Sequence, residues 1–70
     1  MIEITYKDKV KGKTIINIQN ISMINYSTKS NLMIFWTTEN KMLCTFSQSD
    51  VEENLLDIYK RAKMLLMRVK

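Results

Sequence analysis

Alternating apolar and polar residues mark short strands in the first two thirds of the chain. Ile2, Ile4 and Tyr6 alternate with polar residues, which is typical of a strand with one buried face. The polar segment that follows contains Gly12, which takes a positive φ without penalty, so we predict a hairpin with its turn at Lys11 and Gly12. Further strands are predicted where β-branched and aromatic residues concentrate, at 13–18, 21–26, 32–37 and 42–46.

An amphipathic helix is predicted for the last third of the chain. Ser49 and Glu52 stand three positions apart and form a capping-box pattern, in which each side chain accepts a hydrogen bond from the other residue's backbone amide. We therefore expect the helix to run from about Ser49 to Arg68. Its apolar residues recur at helical spacing and form one stripe: Val51, Leu55, Ile58, Tyr59, Ala62, Leu65, Leu66 and Val69.

Together these elements predict a single α+β domain over residues 1–70. An antiparallel sheet of four or five short strands, twisted or closed into a partial barrel, occupies about 2–47, and one C-terminal helix packs on it. The order of elements resembles that of bacterial pleckstrin-homology-like domains, and the segment 18–46 is similar to the strands of LytTR-type DNA-binding domains. Neither resemblance rests on a diagnostic residue, so neither implies site residues.

The predicted sheet carries more apolar surface than one helix covers. Leu32, Ile34 and Trp36 project from one face of their strand, and Met33 and Phe35 project from the other. A four-stranded sheet is roughly 15 to 20 Å wide, whereas a helix is roughly 10 to 12 Å wide. Barrel closure, self-association and a surface for another protein are all open as explanations. We predict a partner or oligomer interface at the second sheet face and at helix residues off the main stripe: Met33, Phe35, Leu56, Met64 and Met67.

The chain contains two groups of basic residues, and their pattern indicates contact with an acidic partner. Lysines recur at every second position along the predicted hairpin and would project largely to one side, and a second group lies in the C-terminal half of the helix. These residues are Lys7, Lys9, Lys11 and Lys13 in the hairpin and Lys60, Arg61, Lys63, Arg68 and Lys70 in the helix. With a net charge of +4, both nucleic acid and an acidic protein surface fit. The alternative interpretation is a protected sheet edge and a solvated helix face.

The available residue types argue against catalysis. The chain has no histidine, the usual proton carrier at neutral pH, and its single glycine excludes a glycine-rich phosphate loop. A lone cysteine, Cys44, supports neither a disulfide nor a zinc site, and its mid-strand position predicts a buried, inert thiol. We therefore predict a non-catalytic protein with no cofactor, metal or small-molecule substrate.

Composition gives an expectation about location and origin. The longest apolar run has five residues, far below the roughly 20 of a spanning helix, and the N-terminal residues lack the pattern of a signal peptide. We therefore expect a cytoplasmic protein without a membrane partner. The abundance of isoleucine, lysine and asparagine is typical of AT-rich genomes, such as those of low-GC bacteria, their phages and mobile elements.

Two functional hypotheses follow. In the first, the protein is a small protein-interaction or inhibitor module that self-associates through its surplus apolar surface and presents basic residues to an acidic target protein. In the second, it is a nucleic-acid-binding accessory protein that contacts phosphates through the hairpin from Lys7 to Lys13.

Overall fold

The computed structural model describes residues 1–69, which fold into five strands, two short 3-10 turns and one α-helix. The strands are β1 (Ile2–Thr5), β2 (Lys13–Ile16), β3 (Ile21–Ser27), β4 (Leu32–Thr37) and β5 (Met42–Ser47), and the helix is α1 (Leu55–Val69). The 3-10 turns are Ile18–Asn20 and Gln48–Asp50. No helix within these residues has the length and apolarity that crossing a bilayer requires.

The strands form two antiparallel sheets. β1 and β2 make a hairpin in which Ile2 lies opposite Ile16, and the other three strands make a meander in the order β3–β4–β5. The predicted α+β class is confirmed, with one C-terminal helix in the described part of the chain. The predicted single sheet is instead divided into sheets of two and three strands, and this topology does not confirm a pleckstrin-homology-like arrangement.

The turn of the hairpin lies where the sequence predicts it. Gly12 has a φ of +69°, in the left-handed region that a glycine adopts without a Cβ penalty. The amide of Tyr6 donates to the carbonyl of Gly12 at 2.9 Å, and the carboxylate of Asp8 accepts from the amide of Val10 at 2.9 Å. These bonds close the segment 6–12, which we call the hairpin loop.

The inner face of the three-stranded sheet is covered by two elements side by side. α1 covers the β3 side, where the ring of Tyr59 stacks on Tyr26 with centroids 5.6 Å apart. The hairpin covers the β5 side, where the ring of Tyr6 lies 5.9 Å from that of Phe46. The buried core between these layers consists of Ile2, Ile4, Ile16, Ile18, Ile21, Met33, Phe35, Phe46, Val51, Leu55, Ile58 and Ala62.

Met33 and Phe35 lie inside this core, each with an exposed fraction of 0%. The prediction that they form a partner or oligomer interface is therefore wrong. The hairpin and the helix together cover the face from which these two side chains project, whereas the prediction treated the helix as the only cover. Surplus apolar surface is still present, but it lies on the opposite face of β4.

The helix begins at Leu55 instead of Ser49, and the predicted capping box is absent. The amide of Glu52, which the capping box would use, donates to the carbonyl of Thr5 at 2.9 Å. Val51 is fully buried and forms an antiparallel bridge next to this bond. A tertiary contact with the hairpin thus holds Val51 in an extended conformation and delays the start of the helix.

Two side chains satisfy the first amides of α1. The Oδ1 atom of Asn54 accepts from the amide of Leu56 at 2.9 Å, which makes Asn54 the N-cap. The side chain of Gln48 accepts from the amide of Leu55 at 2.9 Å and donates to the carbonyl of Glu53 at 2.7 Å. The 3-10 turn before the helix therefore supplies part of its cap.

The predicted apolar stripe of the helix packs toward the core. Its buried and partly buried members are Leu55, Ile58, Tyr59, Ala62, Leu65 and Leu66. Val51 is buried as well, but it precedes the helix. The side chain of Val69 and the whole of Lys70 lie outside the described residues.

Candidate interaction surfaces

The face of the three-stranded sheet opposite the core is open, and we call it the open face. Met23 pairs with Trp36, and Trp36 pairs with Met42 across the strands, so apolar side chains are contiguous on it. Its residues are Met23, Asn25, Ser27, Leu32, Ile34, Trp36, Met42, Thr45 and Ser47. None of them is charged, and Met23 and Met42 are 46% and 59% exposed. A contiguous uncharged patch of this kind is typical of an interaction surface.

The polar groups of the open face are partly satisfied within the face itself. Nε1 of Trp36 donates to Oδ1 of Asn25 at 2.6 Å, which fixes the indole on the sheet. The hydroxyl of Thr45 lies 3.3 Å from the sulfur of Met42. The open face therefore offers a partner mainly apolar surface, with few unsatisfied donors or acceptors.

The hairpin loop presents exposed lysines around an exposed valine. Lys7, Lys9 and Lys11 are exposed, and Val10 between them is 95% exposed. No ion pair involves these three lysines within residues 1–69. Lys11 approaches the ring of Tyr6, with Nζ 5.8 Å from the ring centroid. The three lysines lie in an irregular loop, so the predicted one-sided ribbon does not form.

Lys13 does not belong to this free basic group. It lies in β2, and its Nζ is 3.0 Å from a carboxylate oxygen of Glu3 on the neighbouring strand. The hydrogen bond and the charge of Glu3 raise the pKa of Lys13. Three of the four predicted hairpin lysines are therefore exposed and have no ion pair within residues 1–69.

The exposed side of α1 combines apolar and basic residues. Leu56, Met64 and Met67 are exposed, as their position off the main stripe predicts. Lys60 and Lys63 stand between them at helical spacing, and both are exposed. Their use as an interface stays a prediction, but the structure places them on one accessible strip.

The other predicted basic residues of the helix lie elsewhere. Arg61 lines a separate surface groove that three acidic residues also line, namely Glu3, Glu53 and Asp57. Arg68 is exposed in the last turn of α1. The predicted basic group of the helix is thus divided, with Lys60 and Lys63 on one side of α1 and Arg61 on another.

A groove of about 180 Å³ lies between the free edge of β3 and α1, and we call it the β3–α1 groove. Its lining residues are Ser22, Met23, Ile24, Tyr59, Lys63, Leu66 and Met67. The groove is largely apolar and contains two methionines. Lys63 is the only basic residue among those that line it. No carboxylate lines it.

A second and larger groove, of about 480 Å³, lies between β2 and β5. Exposed Ile15 and Leu43 contribute to its walls. Its cation, Lys41, is 3.7 Å from a carboxylate oxygen of Glu39, so the charges of this groove compensate each other. The two grooves therefore differ in charge, although both adjoin strand edges.

Cys44 is partly buried on the inner side of β5, opposite Phe35. Burial raises the pKa of its thiol to about 11, so the thiolate is scarce at neutral pH. Within residues 1–69, no three His, Cys, Asp or Glu side chains are grouped so that they could hold a metal ion.

Sequence reasoning missed the open face as an interaction surface. The strict alternation of β4 does place Ile34 and Trp36 on one face, so the signal was present. Deciding which face is covered needs the position of the hairpin, and no local pattern encodes that position. Met23 and Met42 join the surface only through cross-strand pairing.

The chain matches no protein-family model, no curated protein and no solved structure. A functional conclusion therefore rests on the surfaces formed by its own residues.

Proposed function

We propose that this protein is a non-catalytic binding module that self-associates through the open face and presents basic residues to an acidic target protein. The observation that carries the proposal is the composition of the open face, which is apolar, accessible and free of charged residues. In a chain with 26% charged residues, an uncharged face of three strands is a distinct feature. The basic residues of the hairpin loop and of α1 lie on other surfaces.

Charge favours the open face as the site of self-association. Two copies of a chain with a net charge of +4 repel each other at most approaches. The repulsion is smallest where neither copy contributes a cation to the contact. A two-fold arrangement then places the same apolar patch on both sides of the interface.

The size of the open face predicts a weak dimer. Three strands of six or seven residues cover a footprint of roughly 15 by 20 Å. That footprint is well below the roughly 800 Å² per partner of a standard stable interface. We therefore expect association that depends on concentration over the micromolar to millimolar range.

Sedimentation equilibrium of the wild-type protein and of Ile34→Thr tests this proposal. The substitution places a polar β-branched residue at the centre of the open face and should shift the protein toward monomer. Ile15→Thr is the matched control, because Ile15 is 65% exposed on the other sheet. The single tryptophan, Trp36, gives a second readout, since its emission should shift to shorter wavelength as copies associate. A wild-type protein that stays monomeric at millimolar concentration contradicts the proposal.

Nucleic-acid binding is the second candidate, and the exposed lysines of the hairpin loop favour it. With Lys13 paired to Glu3, three lysines are available to phosphates. The slope of log K against log salt is then about −2.7, or roughly a 40-fold loss of affinity between 50 and 200 mM salt. Anisotropy of labelled DNA and RNA with Lys9→Glu/Lys11→Glu measures this, with Lys29→Glu/Lys41→Glu as the control of equal net charge. Equal effects of the two double variants would exclude a site at the loop.

A further inference from the structure

The geometry points to the β3–α1 groove as the place where an extended acidic segment of a partner protein binds, by adding a strand to the free edge of β3. This inference rests on the proposed function, because it gives the acidic target a site and a conformation. The groove shares Met23 with the open face, but Ile34 and Trp36 do not line it, so substitutions at those two positions test the open face separately.

The edge of β3 has the length and accessibility that strand addition needs. β3 spans Ile21–Ser27, and within the sheet it pairs only with β4. Within residues 1–69, no backbone hydrogen bond joins the outer edge of β3 to another strand. An exposed edge of this kind provides a row of donors and acceptors to an incoming extended chain.

The wall formed by α1 gives an incoming strand an apolar contact. Leu66 is partly buried in the groove, and Met67 is 70% exposed at its rim. Methionine is flexible and polarisable, so it adapts to side chains of different shape. The groove has a volume of about 180 Å³, which is enough for one side chain of the added strand.

The charge of the groove selects an acidic occupant. Lys63 lines the groove without a carboxylate among the lining residues, and exposed Lys60 stands one turn away on the same helix. By contrast, Lys41 in the β2–β5 groove is already paired with Glu39. A carboxylate in the β3–α1 groove would therefore form a new ion pair, whereas one in the β2–β5 groove would compete with an existing pair.

The repeat distances of the two elements predict the pattern of the occupant. Alternate residues of an extended strand are roughly 6.7 Å apart, and Lys63 and Met67, four residues apart on α1, differ in height by roughly 6.0 Å. In an added strand that runs along the axis of α1, an acidic and an apolar side chain two positions apart can thus contact both residues. We expect the occupant to contain Asp or Glu, one intervening residue, and then a large apolar residue, in either chain direction.

Selection of a random eight-residue peptide library against the full-length protein tests the inference. The expected result is enrichment of peptides with this acidic and apolar spacing. A synthetic peptide from the selection should shift the amide resonances of β3 and of the groove side of α1. This peptide is then N-methylated at either of its two alternating sets of backbone amides. Methylation of the set that faces β3 should abolish binding, and methylation of the set that faces away should not, as pairing to a strand edge requires.

Charge reversal then assigns the acidic contact. Lys63→Glu should weaken binding of the selected peptide about fivefold or more. A peptide with Lys in place of its acidic residue should bind this variant with the original affinity. Lys29→Glu is the matched control, since it makes the same charge change at an exposed turn residue outside the groove. The inference is overturned if the library yields no acidic pattern, if the shifts lie outside β3 and α1, or if both variants weaken binding equally.

The outcome separates this inference from self-association. Ile34→Thr should keep its affinity for the peptide while losing dimer, because Ile34 does not line the groove. A monomeric wild-type protein that binds the peptide would contradict self-association and support the groove. A dimeric protein that selects no acidic peptide would support self-association and contradict the groove.

Discussion

The two faces of β4 are equally apolar in sequence, yet one became core and the other surface. Met33 and Phe35 are fully buried, whereas Ile34 and Trp36 on the alternate positions remain partly exposed on the open face. The difference comes from the surroundings of the strand, because the hairpin and α1 both pack on the inner face. Apolar composition therefore does not identify a core face in a small sheet; the covering elements do.

The largest effect that tests this comparison is on stability. Phe35→Ala should lower the free energy of unfolding by about 3 to 5 kcal/mol, because it leaves a cavity between the sheet and its covers. Trp36→Ala on the open face should cost about 1 kcal/mol. Urea denaturation measures both, and the milder Phe35→Leu keeps the comparison possible if Phe35→Ala does not fold. Similar costs at the two positions would contradict the assignment of the faces.

The reactivity of a cysteine thiol placed on either face of β5 tests the same comparison. The pKa of Cys44 is raised from 9.0 to about 11 by burial, so alkylation by iodoacetamide at pH 8 should be about 100-fold slower than in the urea-unfolded protein. The variant Cys44→Ala/Thr45→Cys moves the thiol to the open face, where it should react at nearly the unfolded rate. Equal rates for the two proteins would contradict the alternation of β5.

Substitutions at the start of α1 should change stability by a smaller amount, and they test how the helix is held on the inner face. Asn54→Ala should cost about 1 kcal/mol because it removes the side chain that accepts from the amide of Leu56. Ser49→Ala should change stability by less than about 0.5 kcal/mol, since Ser49 is exposed and caps no helix. Thermal unfolding of both variants measures the difference, and a larger loss at Ser49 would restore the predicted capping box.

The smallest effect is a pH dependence at the contact between the hairpin and the helix. Burial raises the pKa of Glu53, but its hydrogen bonds with Thr5 and with its own backbone, together with the charge of Lys13, outweigh burial and lower the pKa below its ordinary value of 4.5. A lowered folded pKa stabilises the protein above pH 4.5, and this stabilisation is lost as the pH falls below that value. Glu53→Gln should reduce this loss in urea denaturation between pH 3 and 5. An unchanged profile would show that the carboxylate is not held by the hairpin.

Much of the secondary structure was predictable, whereas the candidate surfaces were predictable only in part. Gly12 and the alternation around it predicted the hairpin, and the exposure of Leu56, Met64 and Met67 followed from helical spacing. The ion pair of Lys13 was not predicted, because its partner Glu3 lies next to it only once the hairpin has formed. The interface predicted at Met33 and Phe35 failed for a similar reason, since a distant segment covers them.

The sequence alone determined the elements whose causes are local. Periodicity set the strands and the helix stripe, and the left-handed φ values of Gly12, Asn31 and Asn40 fit turns that these residue types favour. The tertiary structure alone decided the division into two sheets, the buried face of β4 and the start of α1 at Leu55. These features depend on contacts between segments far apart in the chain, such as the bond from Glu52 to Thr5, whose energies no short stretch of sequence contains.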